Sequence, residues 1–188
     1  MGYRLSKIYT RKGDDGTTGL ADGNRVSKDS LRMEAIGEVD ELNSLLGVAI
    51  AAEPPAEIKR LLQSIQHELF DMGGDLAMPE HDFLAAEAVT RLEQELDRIN
   101  DTIPPLQEFI LPGGHPVAAQ CHLARSVCRR VERRLVALAK VEKVNPAVLA
   151  YTNRLSDLLF VVGRHLSREL GEGDVLWVRA AERNPHHS

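Results

Sequence analysis

The sequence predicts an all-α protein, a five-helix up-and-down bundle preceded by a glycine-rich N-terminal loop. Two observations carry this prediction. The first is the spacing of the nine prolines, which leaves long proline-free stretches at 24–53, 56–78, 80–103, 117–145 and 147–184. Because proline breaks helix interiors, this spacing indicates about five long helices. The second is the scarcity of aromatic residues, 4% of the chain, which disfavours a β-sandwich or barrel.

The apolar residues of each stretch recur at intervals of three and four, as they do along one face of an amphipathic helix. We therefore predict helices at about 29–52, 56–77, 84–103, 117–142 and 147–170. Leu42 and Leu46 mark the apolar face of the first helix, and Leu155 and Leu158 mark that of the last. Gly171 follows the fifth pattern, in the position that suits a helix C-cap. Short connections between such helices are typical of an up-and-down bundle.

The length of the chain bounds its domain organisation. A chain of 188 residues is long enough for one domain with a substantial core and short for two. We predict a single domain over residues 1–188. It consists of the N-terminal loop (1–28), the helical bundle (29–170) and the tail (171–188). A connector of sequence LQEFILPGGHP (106–116) separates the third and fourth predicted helices.

The composition excludes several classes of function. A net charge of −5 argues against bulk electrostatic binding of nucleic acid. No apolar run approaches the ~18 residues that a membrane span needs. The N-terminus lacks the apolar centre of a secretory signal. Cys121 and Cys128 share one predicted helix face but lie too far apart for a disulfide. We therefore predict a cytoplasmic protein with two buried thiols, and neither nucleic acid nor membrane as a partner.

The segment TRKGDDGTTGL (10–20) is the first candidate for chemistry. Glycine lets backbone N–H groups approach anionic oxygens, threonine hydroxyls donate further hydrogen bonds, and Arg11 and Lys12 supply positive charge. This composition suits a phosphate-binding loop, although the segment is not a P-loop motif. An ordinary flexible terminus rich in glycine has the same composition, so the pattern alone leaves both interpretations open.

Five arginines fall close together on the fourth predicted helix: Arg125, Arg129, Arg130, Arg133 and Arg134. Arg125 and Arg129 lie four residues apart and share one face, beside the apolar stripe. Such a face could bind carboxylates of the bundle or phosphates of a ligand. Alternatively it is a solvated basic face balanced by acidic neighbours, which is the commoner origin of a charge run.

A polar stripe interrupts the leucines of the fifth predicted helix. Asn153 and Asp157 belong to this stripe, which could line a pocket or a subunit interface. On the first helix, Asp40 lies at the expected edge of the buried face. A partly buried acid there would need a partner, and Arg125 or Arg129 would serve.

No spacing of side chains predicts a metal site. No Glu is followed three residues later by His, as di-iron bundles require, and the seven histidines form no zinc-binding pattern. Both cysteines fall inside predicted helices, where a thiol is more often a core residue than a nucleophile. The chemistry is therefore expected from the loop, the arginines and the polar stripe.

Five motifs of the chain are recognisable together: KIYTRKGDDGTTGL, EAIGEVDELNSLLG, FILPGG, CHLARSVCRRVERR and NRLSDLLF. In this order they closely resemble the PduO-type ATP:cob(I)alamin adenosyltransferases, over about residues 7–169. The resemblance implies a five-helix bundle, assembled as a homotrimer with active sites between subunits. It implies transfer of the 5′-deoxyadenosyl group of ATP, accompanied by Mg²⁺, to the Co(I) centre of cobalamin, giving adenosylcobalamin and triphosphate. The alternative hypothesis is a non-catalytic bundle that senses nucleotide or carries corrinoid.

The resemblance also implies the residues of the nucleotide site. They are Thr10, Arg11, Lys12, Gly13, Asp14, Thr18, Gly19, Lys28, Arg129, Arg130, Val131, Glu132, Arg133 and Asn153. Of these, Arg129 would stabilise the charge that grows on the triphosphate as the C5′–O bond breaks. For Arg130 and Arg134 the interpretation as a solvated face is kept.

Further roles are implied for residues outside that set. Asp40 and Arg125 would form an ion pair across the subunit boundary and join Arg129 as catalytic residues. Phe109 would press on the lower corrin face and exclude the dimethylbenzimidazole base, and Asp157 would lie close to the corrinoid. A reductase or an adenosylcobalamin-dependent enzyme is implied as a partner.

Overall fold

The computed structural model describes residues 8–183 and confirms the five-helix bundle. Residues 1–7 of the predicted loop and 184–188 of the predicted tail lie outside the described residues. The long helices are α1 (Leu31–Ala51), α2 (Ala56–Ala77), α3 (Ala86–Asn100), α4 (Pro116–Leu138) and α5 (Pro146–Leu170). The short elements are β1 (Thr17–Gly19), β2 (Arg25–Ser27) and α6 (Ala180–Arg183).

Proline marks the helix boundaries, as its spacing predicted. Pro116 and Pro146 open α4 and α5, where the missing N–H would have no helical partner in any case. Gly171 is the C-cap of α5. α4 ends at Leu138, earlier than expected, because this is its last buried side chain and residues 139–143 are exposed. α3 is likewise a few residues shorter than expected at each end.

One apolar core joins all five long helices. α4 packs against α1 on one side and α5 on the other, while α2 packs on α1 and α3 on α5. Leu42, Leu135 and Leu155 are fully buried at these contacts. Burial of each such side chain stabilises the folded state by about 1.5–3 kcal/mol. Because these apolar faces of α4 and α5 are buried, only their other faces remain accessible to a ligand.

A buried arginine connects several segment ends where the loop meets the bundle. Arg32 is 3% exposed, forms an ion pair with Glu142 at 2.7 Å, and donates to the carbonyl oxygen of Leu76 at 2.8 Å. The next carbonyl, that of Ala77, accepts a hydrogen bond from the Ala21 N–H at 3.2 Å. The arginine therefore helps to set the point at which the loop is attached to α2.

The tail folds back along the connector at the other end of the bundle. The Leu111 N–H donates to the Val175 carbonyl at 2.8 Å, and the Trp177 N–H donates to the Phe109 carbonyl at 2.7 Å. An antiparallel bridge lies between these two hydrogen bonds. The connector is thus held by a segment that follows it by more than sixty residues in the chain.

Candidate active site

The N-terminal loop is held in shape by its own side chains. Arg25 donates through Nη2 to the Lys12 carbonyl at 2.6 Å and through Nε to the Thr17 hydroxyl at 3.1 Å. Lys28 donates through Nζ to the Gly13 carbonyl at 2.7 Å. These contacts favour the phosphate-binding interpretation of the loop over an unstructured terminus.

All eight loop residues that the resemblance implies in nucleotide binding line one open cavity of about 680 Å³. They are Thr10, Arg11, Lys12, Gly13, Asp14, Thr18, Gly19 and Lys28. Arg25 also lines this cavity, so that its cationic side chains outnumber its single acidic one. Such a surface suits a polyanion, because guanidinium, ammonium and backbone N–H groups all donate to phosphate oxygens.

Glycine and aspartate shape the turn of this loop. Gly16 has φ +84°, in the left-handed region that glycine adopts without strain, and a Cβ on Gly13 would lie 3.0 Å from the Thr17 carbonyl oxygen. The Asp15 carboxylate accepts hydrogen bonds from the N–H and the hydroxyl of Thr17, at 2.9 and 2.8 Å. These bonds lower the pKa of Asp15, so the carboxylate stays ionised and holds the turn.

A second cavity, of about 550 Å³, lies between the connector and helices α3, α4 and α5. Four predicted site residues line it: Phe109, Arg125, Arg129 and Asp157. The side chain of Phe109 is 73% exposed, so the ring is offered to a ligand. Apolar walls with a few convergent charged groups are typical of a small-molecule site.

Two arginines of α4 face this second cavity. The guanidinium carbon of Arg125 lies 5.9 Å from the ring centroid of Phe160, and its Nε is buried with no hydrogen-bond partner. Arg129 is exposed and forms no ion pair within the described part of the chain, although its carbonyl accepts a hydrogen bond from Arg133 at 2.9 Å. Because neither guanidinium forms an ion pair within the described chain, both can bind an anionic ligand.

Of the other three arginines of the α4 cluster, Arg133 lines neither cavity, and the remaining two pair with acids of α1. Arg134 forms ion pairs with Glu34 at 3.0 Å and Glu38 at 3.1 Å, while Arg130 pairs with Glu38 at 3.2 Å and with Glu41. The placement of Arg130 does not support nucleotide binding, because its guanidinium is held by carboxylates and it lines neither cavity. For these two arginines the charged-face interpretation fits.

Two further predicted site residues lie elsewhere. Val131 is 0% exposed in the core, so its side chain packs between helices and cannot touch a nucleotide. Asp40 is exposed, lines neither cavity and pairs with neither Arg125 nor Arg129 within the described chain. Its neighbour Val39 points inward and leaves Asp40 on the outer face. Asp40 is thus exposed rather than partly buried, and its pairing with Arg125 across subunits stays a prediction.

The two cavities share no lining residue. The loop cavity belongs to the part of the chain attached at Ala77, at the end of α2. The second cavity lies along the middle of α4 and α5, beside the connector. A single chain therefore carries both halves of the predicted site on separate surfaces.

The sequence model of the cobalamin adenosyltransferase family matches residues 8–166. The chain belongs to this family. It is 54% identical over 184 residues to a cobalamin adenosyltransferase of Cupriavidus metallidurans, covering 97% of this chain and 100% of that one. It is 47% identical over 182 residues to a corrinoid adenosyltransferase of Bacillus subtilis, covering 93% of this chain and 94% of that one.

Solved structures agree with the family assignment. A variant PduO-type ATP:corrinoid adenosyltransferase from Lactobacillus reuteri, complexed with cobalamin and ATP, is similar with a TM-score of 0.86 and 36% identity. That similarity covers 92% of this chain and 100% of the other. The resemblance seen in the five motifs is thereby confirmed, as is the enzyme class.

A polar network joins α3, α4 and α5, and it includes Glu132 and Asn153, two predicted nucleotide-site residues that line neither cavity. Asn153 donates through Nδ2 to the Glu132 carboxylate at 3.0 Å, and Arg154 donates to the Asn153 side-chain oxygen. Arg154 pairs in turn with Glu93 on α3 at 2.8 Å. The sequence analysis missed Arg154 and Glu93, because only the packing of α3 on α5 brings them together.

The two cysteines of α4 are buried thiols. Burial raises the pKa of the Cys121 thiol from its ordinary 9.0 to about 12 and raises that of Cys128 as well, so neither is a ready nucleophile. Both cysteines are free and buried, as predicted. Among residues 8–183, no group of three or more His, Cys, Asp or Glu side chains could hold a metal ion. No described helix is long and apolar enough to span a bilayer.

Proposed function

We propose that this protein transfers the 5′-deoxyadenosyl group of ATP to the Co(I) centre of cobalamin. The Co–C5′ bond forms as the C5′–O bond breaks, and triphosphate leaves with the electron pair of that bond. The observation that carries the proposal is the convergence of Phe109, Arg129 and Asp157 on one cavity, in a chain of this family. The related Lactobacillus reuteri structure, complexed with cobalamin and ATP, supports the choice of substrates.

The triphosphate would be held by two sets of cations. Arg11, Lys12 and Lys28 line the loop cavity and would bind the phosphates in the ground state. Arg129 is free of ion pairs within the described residues and would meet the charge that develops on the leaving oxygen. A preorganised group of this kind raises kcat by a factor on the order of 10²–10³.

The corrinoid would occupy the second cavity. Phe109 is mostly exposed there and would cover the lower face of the corrin, excluding the dimethylbenzimidazole base. Loss of an axial ligand makes Co(II) easier to reduce, so this contact would favour formation of the Co(I) nucleophile. Asp157 lines the same cavity and would lie at the edge of the ring.

We also propose that the active site forms between subunits of a homotrimer. Two observations support this arrangement: the two cavities of one chain share no residue, and the buried Nε of Arg125 has no partner within the described chain. A loop from one subunit placed over α4 of the next would join the two halves. Asp40, exposed on α1, would then reach Arg125 of the neighbouring subunit.

Mg²⁺ would arrive with ATP, held by phosphate oxygens, because the described residues offer no cluster for a metal. The residues of this chain would then bind and orient the phosphates. The proposal also includes a single domain over residues 1–188, a cytoplasmic location, and a reductase or an adenosylcobalamin-dependent enzyme as a partner.

The test is an assay of the purified protein with ATP and chemically reduced cob(I)alamin. We expect the spectral change of Co–C bond formation together with release of triphosphate. Arg129→Ala should lower kcat by about 10²–10³, whereas Arg134→Ala, on the same helix but paired with α1, should not. Circular dichroism checks that both variants remain folded.

Two results of this assay would contradict the proposal, each in a different part. Unchanged turnover in Arg129→Ala would remove Arg129 from the mechanism. Binding of ATP and corrinoid without formation of a Co–C bond would favour the non-catalytic alternative over the transferase.

A further inference from the structure

We propose that the tail is a positioning element for Phe109. In this proposal Asp174, held by the buried Arg164, fixes the register of the tail on the connector, and Trp177 supports the ring of Phe109 from its edge. The inference rests on the proposed function, because it gives the tail a role at the corrinoid cavity. It assigns positioning roles to Arg164, Asp174 and Trp177, none of which lines that cavity.

An ion pair joins α5 to the tail. Arg164 is 4% exposed, and its Nε and Nη2 donate to one carboxylate oxygen of Asp174 at 3.1 and 3.0 Å. The same Nη2 donates to the carbonyl oxygen of Pro104 at 3.0 Å. One guanidinium thus holds both the start of the tail and the residues that precede the connector.

This ion pair is suited to fixing a position. The side chains of Arg164 and Asp174 are only 5% and 9% exposed, so solvent screens their attraction weakly. A partner removed from a buried pair leaves an uncompensated charge, which makes the paired arrangement strongly preferred once it has formed. This ion pair, which we call the clamp, therefore fixes the position at which the tail leaves α5.

The tail and the connector pair beyond the clamp. The Val175 carbonyl accepts a hydrogen bond from the Leu111 N–H, and the Trp177 N–H donates to the Phe109 carbonyl. A strand pairing of this length admits slippage unless something outside it fixes the register. Asp174 immediately precedes the paired residues, so its clamp on Arg164 supplies that constraint.

The two aromatic rings contact each other. The rings of Phe109 and Trp177 lie with centroids 6.5 Å apart at an interplanar angle of 81°. This edge-to-face arrangement is favourable for aromatic pairs. Because most of the Phe109 side chain is exposed, Trp177 restrains a ring that would otherwise sample several rotamers. A ring held in place can meet the corrin face without being ordered first.

The clamp can be tested without any enzymatic activity. Trp177 is the single tryptophan of the chain, so intrinsic fluorescence reports on the tail alone. In the full-length protein, Asp174→Asn should shift the emission to the red and increase quenching by acrylamide. Glu80→Gln is the matched control, because it removes an exposed pair with Lys143. Emission and quenching of Asp174→Asn equal to wild type would overturn the clamp, whatever the activity of the enzyme.

Positioning through Phe109 requires a second test. We expect Asp174→Asn to lower kcat roughly tenfold, less than the roughly hundredfold that a misplacement of 1 Å can cause, while KM for ATP stays unchanged. Magnetic circular dichroism with ATP and cob(II)alamin should show a smaller four-coordinate fraction. In a Phe109→Ala background, Asp174→Asn should have no additional effect on kcat or on this fraction. Additive effects in the double variant would show that Asp174 does not act through Phe109.

A pair of variants at Trp177 covers the case in which Asp174→Asn does not fold. Trp177→Phe keeps an aromatic edge and should retain the four-coordinate fraction, whereas Trp177→Ala should lose it. Equal fractions in the two variants would overturn the role of the ring contact. If the wild-type protein forms no Co–C bond, the proposed function fails, and the fluorescence test still decides the clamp.

Discussion

The two cavities are built in different ways. Apart from the Ala21–Ala77 hydrogen bond that attaches the loop to α2, the hydrogen bonds that shape the loop cavity join residues at most fifteen positions apart, and most of the side chains of the cavity are exposed. The second cavity is lined by residues of three helices and of the connector, and the same three helices contribute buried side chains to the core. The loop cavity is thus a locally folded segment whose cations suit a polyanion, whereas the second cavity is a surface of packed helices.

This difference separates binding from stability. Substitutions in the loop should change the affinity for ATP and leave the bundle folded, because few core contacts depend on the loop. Substitutions beneath the second cavity should change the free energy of unfolding, because the same helices form the core.

The largest expected effect tests whether the two regions act across subunits. A loop variant carrying Lys12→Ala and Lys28→Ala and an α4 variant carrying Arg129→Ala should each be nearly inactive alone. Coexpressed with different tags and purified as mixed trimers, they should regain about a third of wild-type turnover, because an intact loop faces an intact α4 at one of the three interfaces of every mixed trimer.

The control for this experiment is a chain that carries all three substitutions, coexpressed with the Arg129→Ala chain. That mixture contains no intact α4 and should stay inactive. Mixed oligomers of the two complementary variants that remain inactive would place the whole site within one chain.

The next effect contrasts the stability of the two regions. Leu135→Ala removes a fully buried side chain from α4 and should lower the free energy of unfolding by about 2–5 kcal/mol. Lys28→Ala should leave this free energy nearly unchanged and raise KM for ATP. Urea unfolding followed by circular dichroism measures both variants. A loss of stability in Lys28→Ala comparable to that of Leu135→Ala would contradict the separation.

The smallest expected effect concerns the buried thiols of α4. Because the pKa of Cys121 is raised to about 12 and that of Cys128 is also raised, both thiols stay protonated in the folded chain at pH values where they ionise in the unfolded one. Their contribution to stability is complete below about pH 9 and is lost as the pH rises towards the folded values. Each thiol should account for roughly 1 kcal/mol of lost stability at pH 10.

The measurement is the difference in unfolding free energy between wild type and the variant Cys121→Ala with Cys128→Ala, at several pH values. Groups common to both proteins cancel in this difference. The variant should lose less stability than wild type between pH 8 and 10, values on either side of the ordinary thiol pKa. Equal losses would show that the thiols ionise as readily in the folded chain.

The sequence predicted well what is encoded locally. Proline spacing and apolar periodicity predicted the helices, and the glycines and cations of the loop predicted a cavity that the structure shows to be lined by the expected residues. Both patterns arise between residues close together in the chain. They can therefore be recognised without knowledge of the packing.

The misplaced residues have one physical cause. Motif similarity covers a continuous stretch of α4, but successive residues of a helix point about 100° apart and cannot all face one ligand. Arg129 faces the cavity, Arg130 turns to α1 and Val131 enters the core. The clamp between Arg164 and Asp174 was missed for a different reason, since only the folded tail brings it together.

The buried Arg32 gives the protein an unequal response to ionic strength. Its pair with Glu142 has one nearly buried partner and is backed by a carbonyl oxygen, whereas the Arg25–Asp15 pair of the loop is exposed on both sides. Dissolved salt screens the exposed pair and acts much less on the buried side chain. Concentrated salt should therefore lower the affinity of the loop for phosphates, while the loop stays attached at the same point on α2.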